Sequence, residues 1–196
     1  MTNSTIILAA GKQERWNPGT VLPKAKQLLI VGGETLLDRM RRQFVNPQIF
    51  ATHPDILDRY PKCHKPQDSR TTVSTLYSTQ GHWGEWTTIL LGDVMYSRAQ
   101  VKRLNKQRDM IMFYGDDQEI YCFKFHCELN KVLIKGIEDL TNDVRWDDKY
   151  GKLWNLYRLL VGVDFREHII GSHFTWVGDC RDFDTRDEYL NYINKN

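Results

Sequence analysis

The sequence predicts an α/β chain, a three-layer αβα sandwich built on a mostly parallel sheet. Two observations carry this. Short buried-type runs, Ile6-Ile7-Leu8-Ala9-Ala10 and Thr87-Thr88-Ile89-Leu90-Leu91, lack the polar alternation of a strand with one wet face. Between such runs stand amphipathic stretches with helical period, so strands alternate with helices along the chain.

The elements follow in order. Residues 6–10 read as the first strand, and Gly11 breaks it. The next fifteen residues are polar and turn-rich and include Arg15, Pro18, Gly19, Pro23, Lys24 and Lys26. A second apolar run, 28–31, is closed by Gly32-Gly33. A helix over 35–44 places Leu36, Leu37, Met40 and Phe44 on one side, with Arg39, Arg41 and Arg42 elsewhere. Residues 49–52 predict a strand, 53–67 a loop with a short helix, and 71–79 a helix entered by Ser69-Arg70. The run 87–91 is the next buried strand and ends in Gly92-Asp93. Ser97 and Gln100 are spaced as a capping box for a helix carrying Val101 and Leu104. Residues 110–114 and 120–125 predict two strands that can pair across Gly115-Asp116-Asp117. A helix over 129–140 and an acidic, irregular stretch over 142–149 follow. Leu153, Leu156, Tyr157 and Leu160 mark an amphipathic helix over 152–161. A late strand, 174–177, ends in Gly178-Asp179, and Thr185 with Glu188 caps a last helix through Tyr189, Tyr192 and Ile193.

At 196 residues the chain is expected to form a single domain, 1–196, with a sizeable core. A formal charge of +2 argues for neither a nucleic-acid nor a membrane surface. No apolar run approaches the ~18 residues of a membrane span, and the N-terminus lacks the basic start of a signal peptide. Four cysteines without a Cys-x-x-Cys pair fit reduced thiols and a cytoplasmic location. Cys63-His64 and His126-Cys127 lack the ligand spacing of a zinc site. Trp83 and Trp86, with His82 and Arg70, read as packing residues or as a stacking surface for a base or acceptor.

Three features can meet at the carboxyl edge of the sheet, where open α/β sheets bind ligands. One is the cationic loop from Ala9 to Lys26, with small residues that free backbone N–H groups for phosphate. The others are Asp93, just after a strand, and Asp184, just before a helix; strand-end carboxylates are hard oxygen ligands suited to Mg²⁺. Each carboxylate also has an ordinary reading as a helix cap or strand terminator, and Asp179 and Asp182 read as loop acids close enough to assist. A cationic loop facing a Mg²⁺ site can catalyse phosphoryl or nucleotidyl transfer by positioning and charge neutralisation.

Leu8-Ala9-Ala10-Gly11, Arg15, Lys26 and the following QLLIVGGETLLDR resemble the signature of the GT-A-like nucleotidyltransferases, which include the sugar-phosphate nucleotidyltransferases and small cytidylyltransferases. Leu91-Gly92-Asp93-Val94 is similar to their metal-aspartate motif, and Asp182-Phe183-Asp184-Thr185-Arg186-Asp187-Glu188-Tyr189 to their C-terminal motif. The three matches lie in family order and span nearly the whole chain. The resemblance implies the nucleotide-diphospho-sugar transferase (GT-A-like, Rossmann-like) fold. It implies joining of an NTP to a sugar phosphate or another small phosphorylated acceptor, with Mg²⁺ as cofactor and pyrophosphate released. The partners implied are thus small molecules, and a homodimer is compatible with the sequence. By the same resemblance, Lys26 and Arg15 are catalytic and bind phosphates. Leu8, Ala9, Ala10 and Gly11 contact the nucleotide, with Arg70, Thr71 and Ser74 where relatives read the base. Asp93 and Asp184 hold the metal. Departures are Gln13 for the second loop glycine, Glu34-Thr35 for Lys-Pro, and Arg186 for the late proline. Pro23-Lys24 keeps the family dipeptide, but Lys26 has the right spacing to Gly32-Gly33 and is favoured. The alternatives are a glycosyltransferase of the same fold and a degenerate nucleotide-binding module.

Overall fold

Ile6 and Leu8 point to one side of the first strand, Ile7 and Ala9 to the other, and all four are buried. That strand therefore lies between two apolar layers. The computed structural model describes residues 3–11, 16, 25–142, 152–164 and 170–195. Strand β1 (Asn3–Ala9) sits inside a six-stranded sheet with β4 (Gln48–Ala51), β5 (Trp86–Leu91), β7 (Ile111–Gly115), β8 (Ile120–His126) and β9 (Phe174–Trp176). The order is β4-β1-β5-β8-β7-β9. β1 runs parallel to both β4 and β5, with Ile6 opposite Gln48 on one flank and Ile89 on the other. β9 runs parallel to β7, and β8 is antiparallel to both its neighbours. The mostly parallel expectation holds, with β8 as the exception. A hairpin forces it: Asp116 N–H donates to the Glu119 carbonyl, so β7 and β8 are joined by a turn too short for a parallel crossover. Gly115 permits that turn, since a Cβ there would lie 2.1 Å from the Glu119 carbonyl oxygen.

Two clusters of buried residues cover the two faces. One gathers Ile7, Ala9, Leu90, Tyr114 and Cys122 from the sheet under α1 (Leu36–Gln43), α2 (Pro54–Arg59), α4 (Arg98–Lys106) and α7 (Arg186–Ile193). The other gathers Ile6, Leu8, Ile89, Phe113 and Phe123 under α3 (Thr72–Tyr77), α5 (Asn130–Asn142) and α6 (Leu153–Val161). Alternate residues of one strand enter opposite clusters, which is the period of two that a strand imposes. The αβα sandwich is thus read directly from side-chain burial.

Local differences from the sequence reading have local causes. Residues 28–31 do not join the main sheet. A 3-10 turn, Lys26–Leu28, leads into a small ribbon of β2 (Ile30–Val31) and β3 (Glu34–Thr35). Gly32 (φ +62) and Gly33 (φ +85) supply the two left-handed positions that a two-residue hairpin turn requires. At α4, Ser97 Oγ accepts from the Gln100 N–H at 2.9 Å, but the box is not closed by the Gln100 side chain. That side chain is fully buried, donates to Cys122 Sγ on β8 and accepts from Arg103. Burial against the sheet outcompetes the cap. The box at Thr185 and Glu188 is closed in both directions. Two further strands, β6 (Val94–Met95) and β10 (Arg181–Asp182), pair antiparallel as a second ribbon beyond the carboxyl end of β5.

Lys124 on β8 is buried, and its ammonium donates to the carbonyls of Leu104 at 2.9 Å and Gln107 at 3.2 Å. These are last-turn acceptors of α4 that lack an intrahelical partner. Burial, with a smaller push from Arg108, lowers the Lys124 ammonium to about 8. The folded state therefore binds fewer protons than the unfolded chain between that value and the ordinary lysine range. The penalty is fully present below pH 8 and fades as pH rises. The unfolding free energy from urea titration of the native protein is expected to rise between pH 8 and 10 relative to that of Lys124→Met, by at most about 1.4 kcal/mol per pH unit.

Candidate active site

β1 and β5 leave the sheet at the same edge, and Gly92 N–H extends their ladder by donating to the Leu8 carbonyl at 2.8 Å. The approach is too close for a side chain. A Cβ on Gly92 would lie 2.9 Å from Ala9 Cβ and 3.0 Å from Leu8 O. The Gly-Asp pair at the end of β5 is thus a steric requirement followed by a functional group. Tyr96 secures the same point. Its buried hydroxyl accepts from the Leu91 N–H at 3.0 Å and donates to the Tyr121 carbonyl at 2.6 Å, tying β5 to β8.

Asp93 then enters β6, whose Val94 pairs with Asp182 and Met95 with Arg181. This ribbon brings the C-terminal motif to the end of β5. Along Asp182-Phe183-Asp184 the side chains alternate. Phe183 is fully buried against the rings of Tyr189 and Tyr192. Asp182 and Asp184 face the other way, toward Lys26. The Lys26 side chain rises from its 3-10 turn and is itself buried, 6% exposed. Its Nζ lies 3.0 Å from Asp93 Oδ2, 3.4 Å from Asp184 Oδ1 and 3.7 Å from Asp182 Oδ1.

Three carboxylates thus surround one ammonium. Burial alone would lower the Lys26 ammonium, but Asp93, Asp182 and Asp184 together hold it well above the ordinary lysine value. Asp182 moves the other way for a carboxyl, pushed up to about 8 by burial first, then by Asp93 and Asp184, with Lys26 opposing. Asp182 Oδ1 is buried and has no hydrogen-bond partner. An excess of acid over base, with one buried oxygen left over, is a donor set that a hard divalent cation fits. Among the described residues no group of three or more His, Cys, Asp or Glu side chains converges to hold a metal by itself.

The sequence-derived residues fall into four groups. Lys26, Asp93 and Asp184 are brought together. Neither carboxylate is a helix cap, since Thr185 caps α7 and Ser97 caps α4. Leu8, Ala9 and Ala10 lie at the end of β1 with buried side chains, so they offer a ligand only backbone, and Gly11 is exposed. The Ala10 carbonyl already accepts from Thr52 Oγ1 at 3.3 Å. Arg15, Lys24, Gln13 and the acidic stretch around Trp146 lie outside the described residues.

The expected base readers are occupied. Thr71 and Ser74 close a capping box at the start of α3, and Arg70 is paired with Asp68 at 2.7 Å. Trp83 and Trp86 lie at the opposite edge of the sheet, about the start of β5. Trp83 donates to Thr79 and packs on Phe125, while Trp86 lies against His126 and Lys124, so both are packing residues. Asp182 is the member of the cluster that the sequence reading undervalued. Its signal was present in the i, i+2 spacing of two aspartates around one aromatic, which puts both carboxylates on one face of an extended strand.

No protein-family model matches the sequence, and no curated protein does either. Solved structures do match. The CTP:phosphocholine cytidylyltransferase of Streptococcus pneumoniae is 14% identical, with a TM-score of 0.63 over 100% of this chain and 99% of its own. A Bacillus anthracis protein assigned as a glucose-1-phosphate thymidylyltransferase is 15% identical, with a TM-score of 0.62 over 99% and 94%. The inositol-1-phosphate CTP transferase of T. maritima is 9% identical, with a TM-score of 0.63 over 98% and 93%. The chain therefore shares the fold of these structures, the GT-A-like fold. Among its described residues no helix is long and apolar enough to cross a membrane.

Gly92→Ala should disturb this site from beneath. The added methyl must displace the end of β1, and overpacking of this kind costs about 1–3 kcal/mol. The expected result is a lower urea midpoint with an unchanged slope.

Proposed function

We propose that the protein is a nucleotidyltransferase that joins an NTP to a sugar phosphate or another small phosphorylated acceptor and releases pyrophosphate. The observation that carries this reading is the buried Lys26 ammonium at the carboxyl edge, 3.0 Å from Asp93 and 3.4 Å from Asp184. In the proposed reaction an acceptor phosphate oxygen attacks the α-phosphorus in line. A P–O bond forms as the bond to the pyrophosphate oxygen breaks, and negative charge gathers on the α-phosphate oxygens. Lys26 keeps its proton throughout the neutral range, because three carboxylates raise its affinity for it. It serves as a fixed positive charge for those oxygens and not as a general acid or base.

The other roles follow from placement. The backbone where the chain leaves β1, from Leu8 and Ala9 through Ala10 to Gly11, contacts base and ribose, because the side chains before Gly11 are turned into the core. Arg15 joins Lys26 on the phosphates. Arg70 can reach a base only by releasing Asp68, while Thr71 and Ser74 contribute by fixing the start of α3. Asp93 and Asp184 are the residues to hold Mg²⁺, with Asp182 beside them. When bound, the ion would neutralise phosphate charge and orient the oxygens. A cytosolic location, with its NTP pool and reduced thiols, fits the four free cysteines.

The direct test is pyrophosphate release from each NTP with Mg²⁺ and a panel of sugar and head-group phosphates. Tight NTP binding with no release for any pair would instead indicate a binding module. Sugar released from a nucleotide-sugar donor would indicate a glycosyltransferase. Lys26→Ala and Asp93→Asn are each expected to lower kcat by roughly two decades or more, as loss of electrostatic stabilisation does. Thermal midpoints of both variants separate that loss from unfolding. Lys24→Ala should leave kcat within a few-fold of native; a collapse there would move the role from Lys26 to Lys24.

A further inference from the structure

A cleft of about 600 Å³ opens between the end of α1, the start of β4 and the turn that follows α2. Small-molecule sites commonly have this volume. The cleft begins at the amino end of β4, whereas the Lys26 cluster lies past the carboxyl ends of β1 and β5, and the two share no residue. Its walls are of two kinds. Pro47, Ile49, Pro61 and the ring of Tyr60 supply apolar surface, and Arg41, Arg59 and Lys62 supply three cations. No carboxylate is among the described residues that line it. His64 also borders it but adds little charge near neutral pH, since burial and neighbouring His82 hold its imidazole below the ordinary value.

The cations are arranged as well as numerous. The guanidinium carbons of Arg41 and Arg59 lie 5.3 and 5.8 Å from the Tyr60 ring centroid, so one ring seats both. Both share a single counter-charge, Asp38, which lies 2.7 Å from Arg59 and 3.9 Å from Arg41. Lys62 is exposed and has no ion-pair partner among the described residues. Three cations against one carboxylate, over an apolar floor, leave this recess electrostatically unfinished.

We propose that the cleft is a second ligand site, for a small phosphate monoester with an apolar body, and that filling it acts on the start of α1 through Asp38. Two guanidinium groups can grip a phosphate with paired N–H donors, which a single ammonium cannot do. A phosphate dianion competes with Asp38 for Arg59. Asp38 is also the acceptor for Thr35 Oγ1 at 2.8 Å and for the Tyr60 hydroxyl at 2.9 Å. Thr35 caps α1 by accepting from the Asp38 N–H at 3.0 Å. Thr35 ends the β2–β3 ribbon, and the next residue, Leu36, donates to the carbonyl of Leu29, just past the turn that carries Lys26. Withdrawing Arg59 from Asp38 therefore loosens a set of hydrogen bonds that leads to the Lys26 turn.

Phenyl phosphate is the simplest probe, with inorganic phosphate and phenol as its separated halves. Titrated into the ¹⁵N-labelled full chain, it should shift the amides of residues 46, 48, 49, 60 and 62–64 saturably, and bind more tightly than either half. The amides of Thr35, Asp38 and Lys26 should move with the same midpoint. Arg41→Ala with Lys62→Ala, both at exposed positions, should weaken binding by about tenfold or more while leaving the rest of the spectrum in place. Absence of shifts in the millimolar range, shifts undiminished in the double variant, or shifts centred on residues 8–11, 26 and 93 would each overturn the site. Binding without movement at Thr35 and Lys26 would overturn the coupling. None of these readings needs NTP or turnover, so this site and the proposed transferase activity stand or fall separately.

Discussion

A buried ammonium held among three carboxylates is the interaction on which the carboxyl edge depends. Lys26 is drawn from a turn after β1, Asp93 from the end of β5, Asp182 from β10 and Asp184 from the short stretch between β10 and α7. Segments far apart in sequence are thus tied by one charge. Removing one partner of a buried ion pair typically costs about 3–5 kcal/mol, because the other charge is left unpaired. Here one lysine serves three acids, so the cluster is a tertiary clamp that keeps an excess of acid over base.

The rest of the architecture places those four side chains. The β1–β5 ladder brings two strand ends together, and Gly92 allows the approach by having no Cβ. The β6–β10 ribbon carries the C-terminal aspartates across to Asp93, and Phe183 turns them outward by burying itself. The Gly32-Gly33 turn folds the β2–β3 ribbon just after the Lys26 turn. None of these devices holds a ligand. Each removes an alternative position for a residue that could.

Much of this was legible in the sequence where a physical signal is local. Apolar runs ending in glycine marked β1 and β5, and the capping box at Thr185 marks a real helix start. Asp93 and Asp184 could be singled out because each stands beside such an element, and Lys26 because of its spacing to Gly32-Gly33 in the family resemblance. Asp182 was undervalued because two aspartates in a loop look solvated until a partner strand buries one of them. Thr71 and Ser74 were placed near a base by resemblance, and no spacing shows that a cap uses both hydroxyls. Gln100 looked like a capping residue, and only the nearness of Cys122 turned it inward.

The sequence by itself determined the strands of the main sheet, the helices, their order and the two-faced burial of the sheet, since these follow from period and composition alone. It also determined which residue types stand at strand ends. Only the tertiary structure decided that a distant ribbon delivers Asp182 and that Lys26 takes three carboxylates as partners. Those outcomes depend on contacts between residues up to 158 positions apart. No local propensity encodes such a contact, because its energy exists only once the sheet has closed around it.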